Sequence, residues 1–152
     1  LGPTELHGPD AGAAEAMSKQ TKRLALLAYL AITSADGFRR RDQVAAVFWP
    51  ESDQGTARTH LRKALHGIRD TLGEDLFLTR ADDEVRTAPD LLSCDAVALR
   101  RAVAEERWSD ALALHRGELL EGVFPEGVDH EFHEWLSAER KRLREMAASA
   151  AW

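Results

Sequence analysis

Residues 50–73 read PESDQGTARTHLRKALHGIRDTLG, a stretch with a helix start signal at one end and a stop signal at the other. Ser52 and Asp53 can accept hydrogen bonds from the unpaired amides at a helix start. Gly73 can adopt the left-handed turn that ends many helices. The stretch therefore predicts one long helix over residues 53–72.

The predicted helix has two faces of opposite character. Apolar side chains recur at spacings of three and four, so they share one arc that faces a core. The other side carries Arg58, Arg62, Lys63, His66 and Arg69, with Thr59 beside them. Arg and Lys side chains on such a helix can reach phosphates and guanine edges in the major groove of DNA. The alternative is a charged face that is merely solvated, and periodicity alone does not choose between them.

The distribution of charge favours a polyanionic partner for this segment. The chain has 152 residues and a formal net charge of −6. Between Lys19 and Arg69 there are ten Lys and Arg residues against four acidic residues, a balance of +6, so the remainder of the chain sums to −12. A basic segment between acidic flanks suits a surface that faces DNA, while the acidic residues elsewhere keep the protein in solution.

Further elements are predicted on both sides of the long helix. Residues 18–33 are apolar nearly all round after Ser18 as a cap, which predicts a buried helix. Residues 42–49 predict a shorter helix that Pro50 ends. Residues 76–87 form two extended runs around a polar tip, which indicates a β-hairpin. Two helices joined by a turn, followed by a hairpin, are typical of a winged helix-turn-helix domain.

The two ends of the chain show weaker patterns. Residues 1–7 and 13–17 are candidates for short edge strands. After Pro89 the pattern becomes helical, and helices are predicted over residues 95–106, over residues 108–115 and from residue 129 or 130 onward. Paired helices of this size are similar to the start of a tetratricopeptide-like array. Because the chain has no starting Met and stops at Trp152 within a helical pattern, we expect it to be part of a longer protein.

Three tryptophans and a run of three arginines could each be buried or exposed. Trp49, Trp108 and Trp135 lie on apolar helical patterns, so we expect all three in the core. Three consecutive arginines at residues 39–41 stand at the start of the second helix, where cations oppose the helix dipole. This placement mildly favours an anionic partner, and a solvated surface is the alternative.

Metal, catalytic and membrane functions are not expected. His130 and His133 are three residues apart, whereas the zinc-protease string needs a spacing of four, and Asp129 with Glu131 suits a helix start. The sequence has no Gly-rich phosphate loop, Ser/His/Asp set or paired-carboxylate site, so we expect neither an enzyme nor a cofactor. Cys94 is the sole cysteine, which favours a reducing compartment. No apolar run approaches the roughly 20 residues of a membrane span.

Several strings together resemble a known family. Those in the first half are Leu26-Leu-Ala-Tyr-Leu-Ala, Phe48-Trp-Pro-Glu-Ser-Asp and Ala57-Arg-Thr-His-Leu-Arg-Lys-Ala-Leu-His-Gly-Ile-Arg. They resemble the winged-helix domain of SARP-type activators, which is of the OmpR class. Trp108-Ser-Asp-Ala-Leu-Ala-Leu-His-Arg-Gly-Glu-Leu-Leu-Glu-Gly and Glu134-Trp-Leu-Ser-Ala-Glu-Arg-Lys-Arg-Leu resemble the start of the bacterial transcriptional activator domain that follows it.

The resemblance implies a fold, an activity and partners. It implies an α+β winged helix-turn-helix domain over residues 1–90, followed by part of an all-α, tetratricopeptide-like domain over residues 91–152. It also implies a cytoplasmic bacterial transcription activator whose helix over residues 53–72 lies in the major groove. The partners would be double-stranded DNA with direct repeats, a second copy in a head-to-tail dimer, and RNA polymerase holoenzyme.

The resemblance also implies roles for individual residues. The positions facing bases and phosphates would be Arg58, Thr59, Arg62, Lys63 and His66, with Arg69 nearer to the DNA backbone. The loop facing RNA polymerase would contain Trp49, Glu51, Ser52 and Asp53. Apart from the resemblance, the hairpin has an acidic tip that should stay away from phosphate, whereas Arg80 and Arg86 are candidate DNA contacts.

A helical-repeat scaffold for protein interactions, without DNA binding, is the competing function. On that hypothesis the basic helix is simply surface. The hairpin discriminates between the two, because a scaffold of stacked helix pairs has no use for a two-strand wing. A structure without the hairpin, or with Arg58 and Arg62 buried in a helix–helix seam, would favour the scaffold.

Overall fold

The computed structural model describes residues 1–2, 6–8, 10–128 and 130–152. In these residues the chain is mostly helical and has a small antiparallel sheet, which confirms the predicted mixture of helices with a little sheet. The helices are α1 (Ala11–Ser18), α2 (Thr21–Thr33), α3 (Arg41–Phe48), α4 (Gln54–Leu72), α5 (Asp95–Ala104), α6 (Trp108–Leu114) and α7 (His130–Ala150). The strands are β1 (Arg39–Arg40), β2 (Phe77–Arg80) and β3 (Glu84–Thr87). No helix within these ranges has the length and apolar character needed to cross a bilayer.

Helix α4 forms where its start signal and its periodicity predict it. The Asp53 carboxylate accepts a hydrogen bond from the Thr56 amide at 2.8 Å and caps the helix start. The apolar arc is buried at Ala57, Leu61, Ala64, Leu65 and Ile68. The stop differs from the prediction, because Gly73 has φ +137° and ψ +143° and not the left-handed helical values. Glycine suits this conformation as well, since a Cβ atom disfavours positive φ.

The Asp53 cap predicts a pH-dependent contribution to stability. Hydrogen bonds from the amide and the side chain of Thr56 hold the pKa of Asp53 below its ordinary value. Because its pKa is lowered by folding, the Asp53 carboxylate stabilises the protein at pH values above its unfolded-state pKa of about 3.9. This stabilisation is lost as the pH falls through the lower pKa of the folded state. We therefore expect Asp53→Ala to lower the unfolding temperature at neutral pH, and the difference from the unsubstituted chain to shrink in strong acid.

Thermal unfolding followed by circular dichroism at neutral pH and near pH 2 measures this difference. Glu51→Ala removes an exposed carboxylate two residues away and is the matched control. A difference between Asp53→Ala and the unsubstituted chain that stays constant across this range would contradict the capping explanation.

The core is continuous between the two halves of the chain. Helix α2 buries most of its residues, as its apolar sequence predicts. Tyr29 of α2 lies with its ring centroid 5.4 Å from that of Phe48 in α3 and 4.8 Å from that of Trp135 in α7. Phe48 in turn contacts Phe132 of α7 at 5.2 Å. These aromatic contacts hold α7 against α2 and α3.

The hairpin joins an unpredicted third strand. Strands β2 and β3 pair antiparallel as predicted, with Arg80 opposite Glu84 and Phe77 opposite Thr87. Strand β1 pairs with the other edge of β3, so the sheet order is β1-β3-β2. The prediction that all three arginines at 39–41 stand at the start of the second helix is therefore wrong for Arg39. Arg39 and Arg40 form β1, and Arg40 is also the N-cap residue of α3, which begins at Arg41.

Other local predictions need correction. Residues 13–17 are helical in α1 and not extended, because Asp10 caps that helix by accepting a hydrogen bond from the Ala13 amide at 3.1 Å. Ser18 ends α1 and does not cap α2, which begins at Thr21. The candidate strand over residues 1–7 includes residues 3–5, which lie outside the described residues. Trp108 is 42% exposed and is not a core residue, whereas Trp49 and Trp135 are half-buried against the core.

Candidate nucleic-acid interface

The cationic side of α4 faces outward. Arg58, Arg62, Lys63 and His66 are exposed, while the apolar arc of the same helix packs mainly on α3. Burial of the arc fixes the rotation of the helix about its axis. The four polar side chains therefore extend from one surface whose orientation the core determines, which we call the α4 face.

A carboxylate on the neighbouring helix orients Arg58. The Arg58 Nε atom lies 3.1 Å from Oδ1 of Asp42 in α3, and the two side chains are 44% and 30% exposed. The pair meets the distance of an ion pair, but its angles do not meet those of a hydrogen bond, since Oδ1 of Asp42 has no hydrogen-bond partner among the described residues. An exposed pair of this kind adds little stability. Its main effect is to restrict the directions that the guanidinium can take.

Two other α4 side chains have partners on the same helix. The Thr59 hydroxyl, which is half-buried, donates to the Gly55 carbonyl at 3.1 Å. Nε2 of His66 lies 3.2 Å from Oδ2 of Asp70 one turn later. The Thr59 hydroxyl proton is therefore used within the helix, while its methyl group and the lone pairs of its oxygen are available to a partner molecule.

Arg69 lies where α4 meets the hairpin. Its side chain is half-buried, and its guanidinium carbon lies 5.6 Å from the centroid of the Phe77 ring in β2. Its Nε atom is buried and has no hydrogen-bond partner among the described residues. The structure thus places Arg69 at the inner edge of the α4 face, next to the sheet.

The two hairpin arginines already have partners. Arg80 donates two hydrogen bonds to Glu84, Nε to Oε1 at 3.2 Å and Nη2 to Oε2 at 2.7 Å. These bonds raise the pKa of Arg80 and lower that of Glu84. Arg86 is half-buried and donates from Nη2 to the Ala35 carbonyl at 3.0 Å. Both guanidinium groups also lie over the Phe38 ring, so these arginines support the loop between α2 and β1.

The structure separates the three consecutive arginines. Arg39 donates from Nε to the Thr33 carbonyl, and Arg40 is exposed beside Glu84 and helps to lower the pKa of that carboxyl. Arg41 is half-buried, and burial lowers its pKa, followed by repulsion from Arg69, Arg58 and Arg62. Arg41 therefore lies near the cations of α4. The sequence contains the triplet but has no signal for which member points toward α4.

The loop between α3 and α4 borders a shallow groove. The Trp49 ring is half-buried and stacks on His60 with centroids 5.8 Å apart and planes 20° apart. Nζ of Lys22 lies 5.0 Å from the Trp49 ring centroid. Glu51 and Asp53 are exposed and Ser52 is half-buried. The groove has a volume of about 450 Å³ and is lined by Asp42, Ala45, Ala46, Trp49, Pro50, Ser52, Gln54 and Ala57.

The two histidines of α7 have different neighbours: His133 lies with its ring centroid 5.8 Å from that of Phe132, and His130 pairs with a carboxylate. Nε2 of His130 lies 2.9 Å from Oε1 of Glu134 one turn later. The part of the chain that the structure describes has no group of three or more His, Cys, Asp or Glu residues that could hold a metal ion. Asp129, the predicted cap of this helix, lies outside the described residues.

Comparison with known proteins does not assign a family. Scans against protein-family models, curated proteins and solved structures found no match to this chain. The likeness to SARP-type activators consequently remains a resemblance of sequence strings.

Proposed function

We propose that this chain is a sequence-specific DNA-binding transcriptional activator whose helix α4 lies in the major groove. The observation that carries the proposal is the α4 face: Arg58, Arg62, Lys63 and His66 are exposed on one side of a helix whose other side is buried. An α-helix fits the major groove, and Arg or Lys can make two hydrogen bonds to guanine there. The rest of the chain is strongly acidic, so the protein as a whole is not attracted to DNA. The cations concentrated on α4 therefore favour a local DNA contact.

The surrounding elements support a winged-helix reading of the first part of the chain. Helices α2, α3 and α4 would form the helical unit, and the β2–β3 hairpin would be the wing. Helix α5 packs on α6, and both pack on α7, which suits a tetratricopeptide-like second part. On this proposal residues 1–90 are the DNA-binding part and residues 91–152 are the tetratricopeptide-like part. The two parts nevertheless share a core.

The competing scaffold function receives less support. A missing hairpin, or Arg58 and Arg62 buried in a helix–helix seam, would favour it. The described residues include the hairpin, and both arginines are exposed. Exposed arginines fit either function, so the hairpin is the observation that favours DNA binding.

The proposal extends to partners through the resemblance. The activator would bind direct repeats as a head-to-tail dimer in the bacterial cytoplasm. The loop with Trp49, Glu51, Ser52 and Asp53 would face RNA polymerase holoenzyme. The exposure of Glu51 and Asp53 and the adjacent groove are compatible with a protein contact at this loop.

Arg62→Ala tests the proposed groove contact. Arg62 is exposed on the α4 face and no partner for it is seen among the described residues, so its removal should leave the fold unchanged. If Arg62 reads a guanine, we expect binding to weaken by about 1–3 kcal/mol and the preference at that base pair to relax. The measurement is fluorescence anisotropy on duplexes selected from a random pool, repeated with each base pair substituted and at several salt concentrations.

Arg142→Ala, which removes an exposed arginine from α7, is the matched control and should bind as the unsubstituted chain does. Failure of the selection to enrich any sequence, together with binding that does not change with salt, would reject the function. Equal effects of the two substitutions would reject the groove assignment of Arg62.

A further inference from the structure

Arg41 differs from its two neighbours in what surrounds it. Arg39 donates a hydrogen bond to the Thr33 carbonyl at the end of α2, and Arg40 is beside Glu84. Arg41 is the first residue of α3, and its backbone amide donates to the Asp83 carbonyl in the hairpin turn at 2.8 Å. This bond places Arg41 at the junction of α3, the hairpin and α4.

The cations at this junction are only partly compensated. Arg69, Arg58 and Arg62 all repel the charge of Arg41. Two carboxylates act in the other direction: Asp42 pairs with Arg58 at 3.1 Å, and Asp82 attracts Arg41. Four guanidinium groups thus face two carboxylates in the described residues, and each carboxylate acts mainly on one of them.

Two buried guanidinium atoms in this group lack partners. The Nε atoms of Arg41 and Arg69 are both buried without a hydrogen-bond partner among the described residues. Leaving a buried donor unsatisfied is destabilising. Because both Nε atoms are buried, an anion from solvent would not bond to them directly. It would instead relieve the mutual repulsion of the guanidinium groups.

We propose that Arg41 is the centre of a phosphate-binding site, completed by Arg58 and Arg69, that holds one phosphodiester of the DNA backbone beside the groove in which α4 lies. This inference rests on the proposed DNA-binding function and deepens it, since Arg41 is outside the set of α4 residues assigned to the groove. A backbone contact at the start of α3 would fix the register of α4 and carry no sequence information itself.

The test compares Arg41→Gln with Arg40→Gln on a short duplex of arbitrary sequence and on a selected duplex. Both variants lose one positive charge from adjacent residues, but Arg40 is beside Glu84. We expect Arg41→Gln to bind both duplexes about tenfold more weakly at about 0.1 M salt, and the slope of log affinity against log salt to fall by about 1. Arg40→Gln should change affinity less than about twofold, and Arg41→Lys, which keeps the charge, should retain most of the salt slope.

Thermal unfolding separates binding from folding. Because Arg41→Gln removes a repelled, half-buried charge, its unfolding temperature should equal or exceed that of the unsubstituted chain. A lower unfolding temperature of Arg41→Gln would overturn the phosphate site. So would a salt slope equal to that of Arg40→Gln while the unsubstituted chain still binds duplex. Either result would leave the DNA-binding function in place.

A second arm with sodium tripolyphosphate identifies the source of the phosphate. If the unsubstituted chain binds no duplex at all, the proposed function fails. In that case, stabilisation by tripolyphosphate that Arg41→Gln abolishes would assign the site to a free polyphosphate and overturn the DNA occupant. Stabilisation that is the same in both proteins would overturn the site altogether.

Discussion

Replacing Arg58, Arg62 and Lys63 together with glutamine is expected to weaken duplex DNA binding several hundredfold at about 0.1 M salt, by roughly a factor of eight for each lost phosphate or base contact. The physical reason is counterion release, since each cation that meets the duplex frees a condensed counterion. All three side chains are exposed on α4, so the substitutions should not disturb the core. Fluorescence anisotropy across a salt series measures both the affinity and its slope, which should fall by about 2.7.

The matched control replaces Arg101, Lys141 and Arg142 with glutamine. These residues are exposed on α5 and α7, and their replacement makes the same change in net charge. We expect this control variant to lose little affinity, because the effect depends on where the cations lie and not on their number. Equal losses in the two variants would show that net charge alone drives binding, and no loss in either would exclude the α4 face as the DNA-binding surface.

Phe48→Ala is expected to lower the free energy of unfolding by about 3–5 kcal/mol, the range for truncating a buried phenylalanine. The Phe48 side chain is 0% exposed. Its ring packs between Tyr29 of α2, at 5.4 Å, and Phe132 of α7, at 5.2 Å. The truncation removes aromatic contacts with both halves of the chain and leaves a cavity that rigid neighbouring helices fill only in part.

Urea denaturation followed by circular dichroism measures the effect. Phe124→Ala makes the same chemical change at a side chain that is 82% exposed, and it should shift stability by no more than about 0.5 kcal/mol. If Phe48→Ala were as mild as Phe124→Ala, the aromatic cluster could not be what holds α7 against α2 and α3.

The elements nearest to α4 are those that sequence patterns predicted well. Helices α3 and α4 agree with their predicted ranges to within about two residues, because apolar spacing, a capping aspartate and a following proline act over a few residues. The β2–β3 hairpin follows from two extended runs around a polar turn. Each of these signals is local, so each can be evaluated before the chain is folded.

Elements that depend on distant partners were missed. Strand β1 has two residues and exists because it pairs with β3, some forty-five positions later in the chain. No two-residue segment carries a periodic pattern of its own. Trp108 was expected in the core because its helix shows an apolar pattern, yet it is 42% exposed. Apolar spacing indicates a side chain that can be buried, and packing decides whether it is.

Residue spacing is enough to predict that one long helix carries its cations on one side and its apolar residues on the other, because a repeat of 3.6 residues is a property of the helix alone. Which cations share that surface depends on how the folded elements pack. Arg86 donates to a carbonyl 51 positions earlier, whereas Arg41 lies among the arginines of α4. Such neighbours arise from the packing of α3 and the sheet against α4. Since a charge acts through space and not along the chain, the composition of the charged surface could not be derived from residue spacing.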